Sequence, residues 1–249
     1  MSPHRGAFLR ARKDPMILAI VSDIHANMLA LSAFREWLDS RPDIHRVLNA
    51  GDLINIGPRP AETAETALDD PRFIHVMGNN EEMLADPATA DGGNNRHRRW
   101  SFGRLPNPLT ARLAGLPKEF FGEFNGHKVH MTHARPGHLG EFPLLYGPHT
   151  IADFRADYAD LDAEIFIFGH THEPFYAKIE DRHFINPGAM GFSQSDFIPV
   201  TLLHLAPDQV RVEFTSIPWK RASLAREYFE RDVPDKEYIL SHFFGINSF

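Results

Sequence analysis

The chain has 249 residues, 43% of them hydrophobic and 24% charged, with a formal net charge of −7, the composition of an ordinary globular protein. The acidic balance opposes loose attachment to nucleic acid or anionic lipid, and no apolar run approaches the ~20 residues of a membrane helix. Cysteine is absent, which excludes disulfides and thiolate metal sites and fits a reducing compartment; the cytoplasm is the expected location.

Residues 1–15 carry Arg5, Arg10, Arg12 and Lys13 but no long apolar stretch, so they are expected to be a disordered arm rather than a secretory signal. Ile17–Val21 reads as a buried strand, and Asn27 is placed to cap a helix running to about Leu38. Val47–Ala50 is the next strand, Ala61–Leu68 suits a helix, and Phe73–Met77 returns to the sheet. This alternation predicts parallel βαβ units with right-handed crossovers. Residues 83–115, with Gly92-Gly93 and the basic patch Arg96, Arg98, Arg99 and Arg104, read as a helical insertion with loops. The patch itself is expected to be a solvated helix face, with Trp100 and Phe102 packing beneath it.

Strands resume at Phe120–Phe124, Lys128–Thr132 and Ile165–Phe168. Two hairpins follow, Phe175–Ile179 with His183–Ile185, and Val200–Leu205 with Val210–Thr215 turning at Pro207-Asp208. Residues 219–249 read as C-terminal helices. The expected fold is an α/β, four-layer α/β/β/α sandwich of two mixed sheets with outer helices. It comprises a domain over residues 16–218 and a helical extension, 219–249, packed on it.

Five polar motifs follow apolar runs. They are Asp23-Ile24-His25, Gly51-Asp52, Gly78-Asn79, His133 and Gly169-His170-Thr171-His172. Open α/β sheets carry their sites beyond the carboxyl ends of strands, so these motifs can meet at one point. Each is weak alone, since Asp, Asn and Gly are ordinary turn residues and a lone histidine is more often a bonded core residue. Together their oxygens and imidazoles suit a pair of divalent transition metals. His75, His127, His130 and His183 sit inside strand patterns and are expected to be structural.

Asp23-x-His25, Gly51-Asp52, Gly78-Asn79-x-Glu81, His133 and Gly169-His170-x-His172 resemble the signature of the calcineurin-like metallophosphoesterases. Asn186-Pro187-Gly188-Ala189-Met190-Gly191 and the loop Gly51–Pro58 are similar to the small bacterial and archaeal phosphodiesterase branch and its diadenosine-tetraphosphatase-like relatives. The resemblance spans about residues 16–218. It implies two divalent ions (Mn, Fe, Zn or Ni), one held by Asp23, His25 and His172, the other by Asn79, His133 and His170, with Asp52 bridging. It implies attack on phosphorus by a metal-bridging hydroxide, and a small phosphoester or nucleotide substrate.

Two positions depart from the family pattern. Many members carry a histidine after the motif Asn, where it contacts phosphate or protonates the leaving group; here Asn80 stands there. Thr132 precedes His133 where glycine is usual, which leaves the ligand in place. The catalytic set expected from the resemblance is Asp52, Asn79, Asn80 and His133, and Asn80 and Arg135 are the expected substrate contacts. A phosphoprotein phosphatase of the same superfamily and a non-catalytic metal-binding scaffold are the competing readings. Oligomerisation stays open.

Overall fold

The computed structural model describes residues 14–85, 96–137 and 157–248. The expectation for the N-terminal arm falls almost wholly on residues 1–13, outside the described ones. From the amino end come β1 (Met16–Val21), α1 (Met28–Asp39), β2 (Ile44–Asn49), α2 (Pro60–Leu68), β3 (Phe73–His75) and α3 (Asn79–Ala85). Next come α4 (Arg96–Phe102), α5 (Asn107–Ala114), β4 (Glu119–Phe124), β5 (His127–Thr132) and β6 (Ile165–Ile167). The chain continues with β7 (Pro174–Ile179), β8 (Arg182–Pro187), β9 (Phe197–Ala206), β10 (Gln209–Pro218), α6 (Leu224–Glu230) and α7 (Lys236–Phe244).

The strands make two mixed five-stranded sheets, ordered β10-β9-β1-β2-β3 and β4-β5-β6-β8-β7. In the first, β1, β2 and β3 run parallel, and the β9–β10 hairpin closes antiparallel on β1. In the second, β5, β6 and β8 run parallel between antiparallel β4 and β7. Side chains alternate across a strand, and that alternation builds the layers. Leu18 and Ile20 of β1 meet Val129, Met131, Ile165 and Ile167 in the core between the sheets. Ala19 and Val21 point the other way, into a core shared with α1, α2 and α5–α7. On the far face of the second sheet, Phe166 packs with Tyr158, Ile179 and Phe184. The α/β fold of two mixed sheets with helices expected from the sequence is the one found.

The local signals mostly act as read. The Asn27 side chain accepts from the Ala30 amide and starts α1. Trp219, Tyr228, Leu240 and Phe244 of the C-terminal segment enter the same core as β1. Three differences have physical causes. β3 stops at His75, because the Met77 amide leaves the ladder and donates to the Pro117 carbonyl (2.7 Å). The β9–β10 hairpin is longer than expected and pairs Pro199 with Ser216. Proline is tolerated there because β1 pairs with β9 only as far as Thr201, so Pro199 has a strand neighbour on one side only. Finally, Asn79 does not end a strand in a turn; it opens α3.

Candidate metal and phosphoester site

The parallel strands β1, β2, β5 and β6 all end at one edge of the sandwich, and their loops are stitched together by backbone bonds. Asp23 N donates to Gly51 O (3.0 Å), Gly169 N to His133 O (2.8 Å) and Met190 N to Ser22 O (2.9 Å). These loops are strained. Of twelve non-glycine described residues with positive φ, eight lie here: Asp23, His25, Ala26, Asp52, Asn55, Ile56, His170 and His172. A β-branched residue such as Ile56 at φ 66° is a true outlier, and such strain collects where side chains must be aimed rather than relaxed. The backbones also approach closely. A Cβ at Gly78 would collide with Asp52, and one at Gly169 with Ser22 and Asp23, so glycine is required at both.

All seven expected metal ligands converge. Asp23 Oδ1 is 3.5 Å from His25 Nε2 and 3.3 Å from His172 Nε2, and the two imidazole nitrogens are 3.3 Å apart. On the other side, Asn79 Oδ1 is 2.9 Å from both His133 Nε2 and His170 Nδ1, which are 3.2 Å apart. Asp52 Oδ2 lies between the groups, 3.6 Å from His25 Nε2 and 3.6 Å from His133 Nε2. Ligand atoms ~2.1 Å from an ion stand ~3.4 Å apart in a tetrahedron and ~3.0 Å apart in an octahedron, so both groups have coordination-shell spacing. Asp23 Oδ1 accepts no hydrogen bond among the described residues although it is wholly buried, as a carboxylate oxygen reserved for a cation would be. Asp23 also clusters with Asp52 and His133, so it faces both groups.

Partners behind these atoms set their direction. His133 Nδ1 faces Ala50 O (2.7 Å) and His25 Nδ1 faces Ile54 O (3.3 Å), which leaves each Nε2 lone pair pointing inward. Buried Glu81 receives the amides of Asp52 (3.0 Å), Leu53 (2.9 Å), Ile54 (3.2 Å) and Gly78 (2.8 Å), so one carboxylate shapes the Asp52 loop. Burial, joined by the charge of Asp52, pushes the Glu81 carboxyl up to about 7 against the pull of those amides. Asp23 is held well below the usual carboxylate range: burial opposes this, and the surrounding imidazoles, His172 foremost, overcome it. Burial lowers His170 to about 4, aided by His133, and so keeps it neutral as a ligand must be.

The two expected substrate contacts lie in different surroundings. Asn80 borders the cavity, but its Nδ2 donates to Asp52 Oδ2 (2.6 Å), its backbone N to Asp52 Oδ1 (2.9 Å), and its Oδ1 accepts from Asn55 (2.7 Å). Its amide therefore orients Asp52. Arg135 is paired with Asp157 (2.9 Å) and is not among the described residues lining the cavity. The histidines expected to be structural are bonded within the fold: His75 to Asn49 and Ala67 O, His127 to Glu164 and Ala206 O, His130 to Glu119, and His183 to Tyr176.

The site opens into a cavity of about 500 Å³. Beyond the ligands, its wall includes His97 and Arg98 of α4 and Tyr238, Ile239 and Phe243 of α7. The basic patch thus divides: Arg96, Arg99 and Arg104 are exposed, as expected, while Arg98 reaches the cavity. Trp100 and Phe102 pack on the core. Phe192 was also missed. It stacks on His25 (centroids 4.5 Å apart, 17°) and on Phe243 (4.7 Å, 20°), linking α7 to the site. No sequence signal marks a stacking partner 167 positions from its ligand. The asparagine of the Asn186 run, by contrast, was visible as a resemblance without a role. Its Nδ2 donates to Gly169 O and Thr171 Oγ1 (2.8 Å each) and braces the His170–His172 turn.

The family model of the calcineurin-like phosphoesterase superfamily domain matches residues 16–207. The chain is 28% identical over 193 residues to an uncharacterized protein of Methanocaldococcus jannaschii, covering 70% of this chain and 76% of that one. It is 24% identical over 174 residues to a "Probable metallophosphoesterase" of Methanothermobacter thermautotrophicus, covering 70% and 77%. Two crystal structures share the fold. A metallophosphoesterase from Sphaerobacter thermophilus has TM-score 0.71 at 22% identity, over 91% of this chain and 97% of that one. A hypothetical protein from Pyrococcus horikoshii has TM-score 0.78 at 15% identity, over 94% and 100%.

Proposed function

The chain belongs to the calcineurin-like phosphoesterase superfamily and is a phosphoester hydrolase, and we propose that it works with two divalent ions on phosphodiesters or nucleotide-like substrates. The observation that carries this reading is the pair of donor groups sharing Asp52 Oδ2, each with the edge lengths of a coordination shell. Asp23, His25 and His172 would hold one ion, Asn79, His133 and His170 the other. When bound, such a pair supplies a nucleophile at neutral pH and neutralises charge on the phosphoryl oxygens.

The chain's own groups do the rest. Asn80 and Asn55 lock the Asp52 carboxylate through successive amide bonds. Glu81 pins the Asp52 loop, so the carboxylate needs little reorganisation before it acts. Arg98 adds positive charge on the cavity wall for a non-bridging or distal phosphate oxygen. Asn80 can donate a hydrogen bond but delivers no proton at neutral pH, which suits diesters and anhydrides whose leaving groups are already stable. A cavity narrowed by α4 and α7 favours a small substrate over a phosphoprotein, and the filled ligand set favours catalysis over a scaffold.

The test is elemental analysis of the purified protein together with hydrolysis of an aryl phosphodiester across Mn, Fe, Zn and Ni. Asp52→Ala is expected to lose most of both metals and all turnover, and His172→Ala to weaken one site preferentially. Undiminished turnover of Asp52→Ala, or turnover by protein stripped of metal, overturns the dinuclear reading.

A further inference from the structure

Two walls of the cavity belong to elements that hold no metal ligand. On α4, His97 is 6% exposed, and neither ring nitrogen makes a well-formed hydrogen bond among the described residues, although the Pro234 carbonyl lies near the ring. Its ring stacks beside Trp100 (6.1 Å, 22°) and borders the cavity. An imidazole so placed beside an open cavity has polar capacity left for a partner that enters it. Burial holds His97 down to about 4 against the pull of the Pro234 carbonyl and the Asp235 charge, with His25 and Arg98 adding to the lowering. The ring is therefore neutral and offers one donor and one acceptor.

On α7, Tyr238 faces the same space. It is 64% exposed, stacks one side on His242 (5.2 Å, 10°), and sits with Ile239 and Phe243 in the wall. The exposed ring face on the cavity side is open to a flat partner. The cavity, at about 500 Å³, also far exceeds what a phosphoryl group with a small alkyl substituent would fill.

We infer that α4 and α7 form a nucleoside subsite beside the metal-ligand cluster, with the Tyr238 ring stacking on a heteroaromatic base and His97 hydrogen-bonding its polar edge. Resting on the phosphoesterase reading, this names the substrate class: a phosphodiester or anhydride with at least one nucleoside substituent. Stacking suits any base, and a single imidazole reads one donor and one acceptor position. The subsite therefore selects for the presence of a nucleoside more than for its identity.

The test measures binding, so it is read whether or not turnover is detected. Calorimetry on the metal-containing protein compares adenosine 5′-monophosphate with methyl phosphate, in wild type, Tyr238→Ala and His97→Phe. Phe keeps the ring against Trp100 and removes both nitrogens; exposed Tyr238 can be truncated without opening the core. Wild type is expected to bind the nucleotide at least ~10-fold more tightly than methyl phosphate, and each substitution to cut that ratio at least ~5-fold. Equal affinities in wild type, or a ratio that survives both substitutions, overturn the subsite. Failure of the phosphoesterase reading shows separately, as no hydrolysis of methyl p-nitrophenyl phosphate with any of the four metals.

Discussion

Replacing Asn186 tests whether a residue that touches no metal ligand's donor atom nonetheless governs the histidine pair. Its side chain is fully buried, donates to Gly169 O and Thr171 Oγ1 (2.8 Å each), and accepts from Gly188 N (2.9 Å). Asn186→Ala removes all three bonds. Gly169 O keeps the Thr171 amide at 2.7 Å, so it is not orphaned, but the buried Gly188 N–H loses the acceptor it has here. One stranded buried donor costs ~1–3 kcal/mol and each of the two further lost bonds ~0.5–1.5, so the expected loss is about 2–6 kcal/mol. Asn186→Asp preserves size but turns a donor into an acceptor facing Gly169 O, and should cost more. The strained φ values of His170 (66°) and His172 (63°) then have less to hold them, and metal affinity should fall ~10–100-fold. Urea unfolding of the chelated protein reads the first number, and competition against a metal indicator reads the second. A stability loss under ~0.5 kcal/mol with unchanged metal affinity would refute the bracing role.

Arg98→Ala should raise KM for nucleotides with kcat little changed, whereas Arg99→Ala, on the exposed side of α4, should leave both within about twofold; steady-state kinetics on the two variants decides, and equal effects would return Arg98 to the solvated face. Wild-type log kcat should fall steeply as leaving-group pKa rises, because Asn80 delivers no proton and burial keeps His97 neutral. A flat dependence with bond cleavage rate-limiting would mean that another residue supplies the acid. Asp70 accepts from Arg72 (2.9 and 2.6 Å) and Arg35 (3.3 Å), and the Arg72 hydrogen bonds lower its carboxyl to about 2. Because the folded value lies below the unfolded one, that stability is present above pH ~4 and is lost as pH falls through ~2. Screened by half-exposed arginines, Asp70→Asn should cost about 1–2 kcal/mol at pH 7, and the gap should shrink towards pH 2 in denaturant titrations. A gap independent of pH would show that the loss is not electrostatic.

The convergence of these donor side chains was legible because it is local chemistry at strand ends. An apolar run followed by Asp-x-His or Gly-His-x-His announces both the strand and the donors. Parallel strands must deliver their carboxyl ends to a common edge, so Asp23, Asp52, His133 and His170 could be expected to meet before any coordinates existed. The two sheets followed from the βαβ alternation of the first half and the hairpins of the second. What surrounds these donors was not legible, because it depends on segments remote in sequence closing on one cavity. Asn80 reads as a substrate contact, and only the fold shows its amide bonded to Asp52 and Asn55. Arg98 and Arg99 read alike until the fold sets Arg98 on the cavity wall and leaves Arg99 exposed. His97, Phe192 and Tyr238 look like packing residues in a string of letters, because the order of a chain says what a side chain is, whereas docking of α4 and α7 over the site decides what it faces.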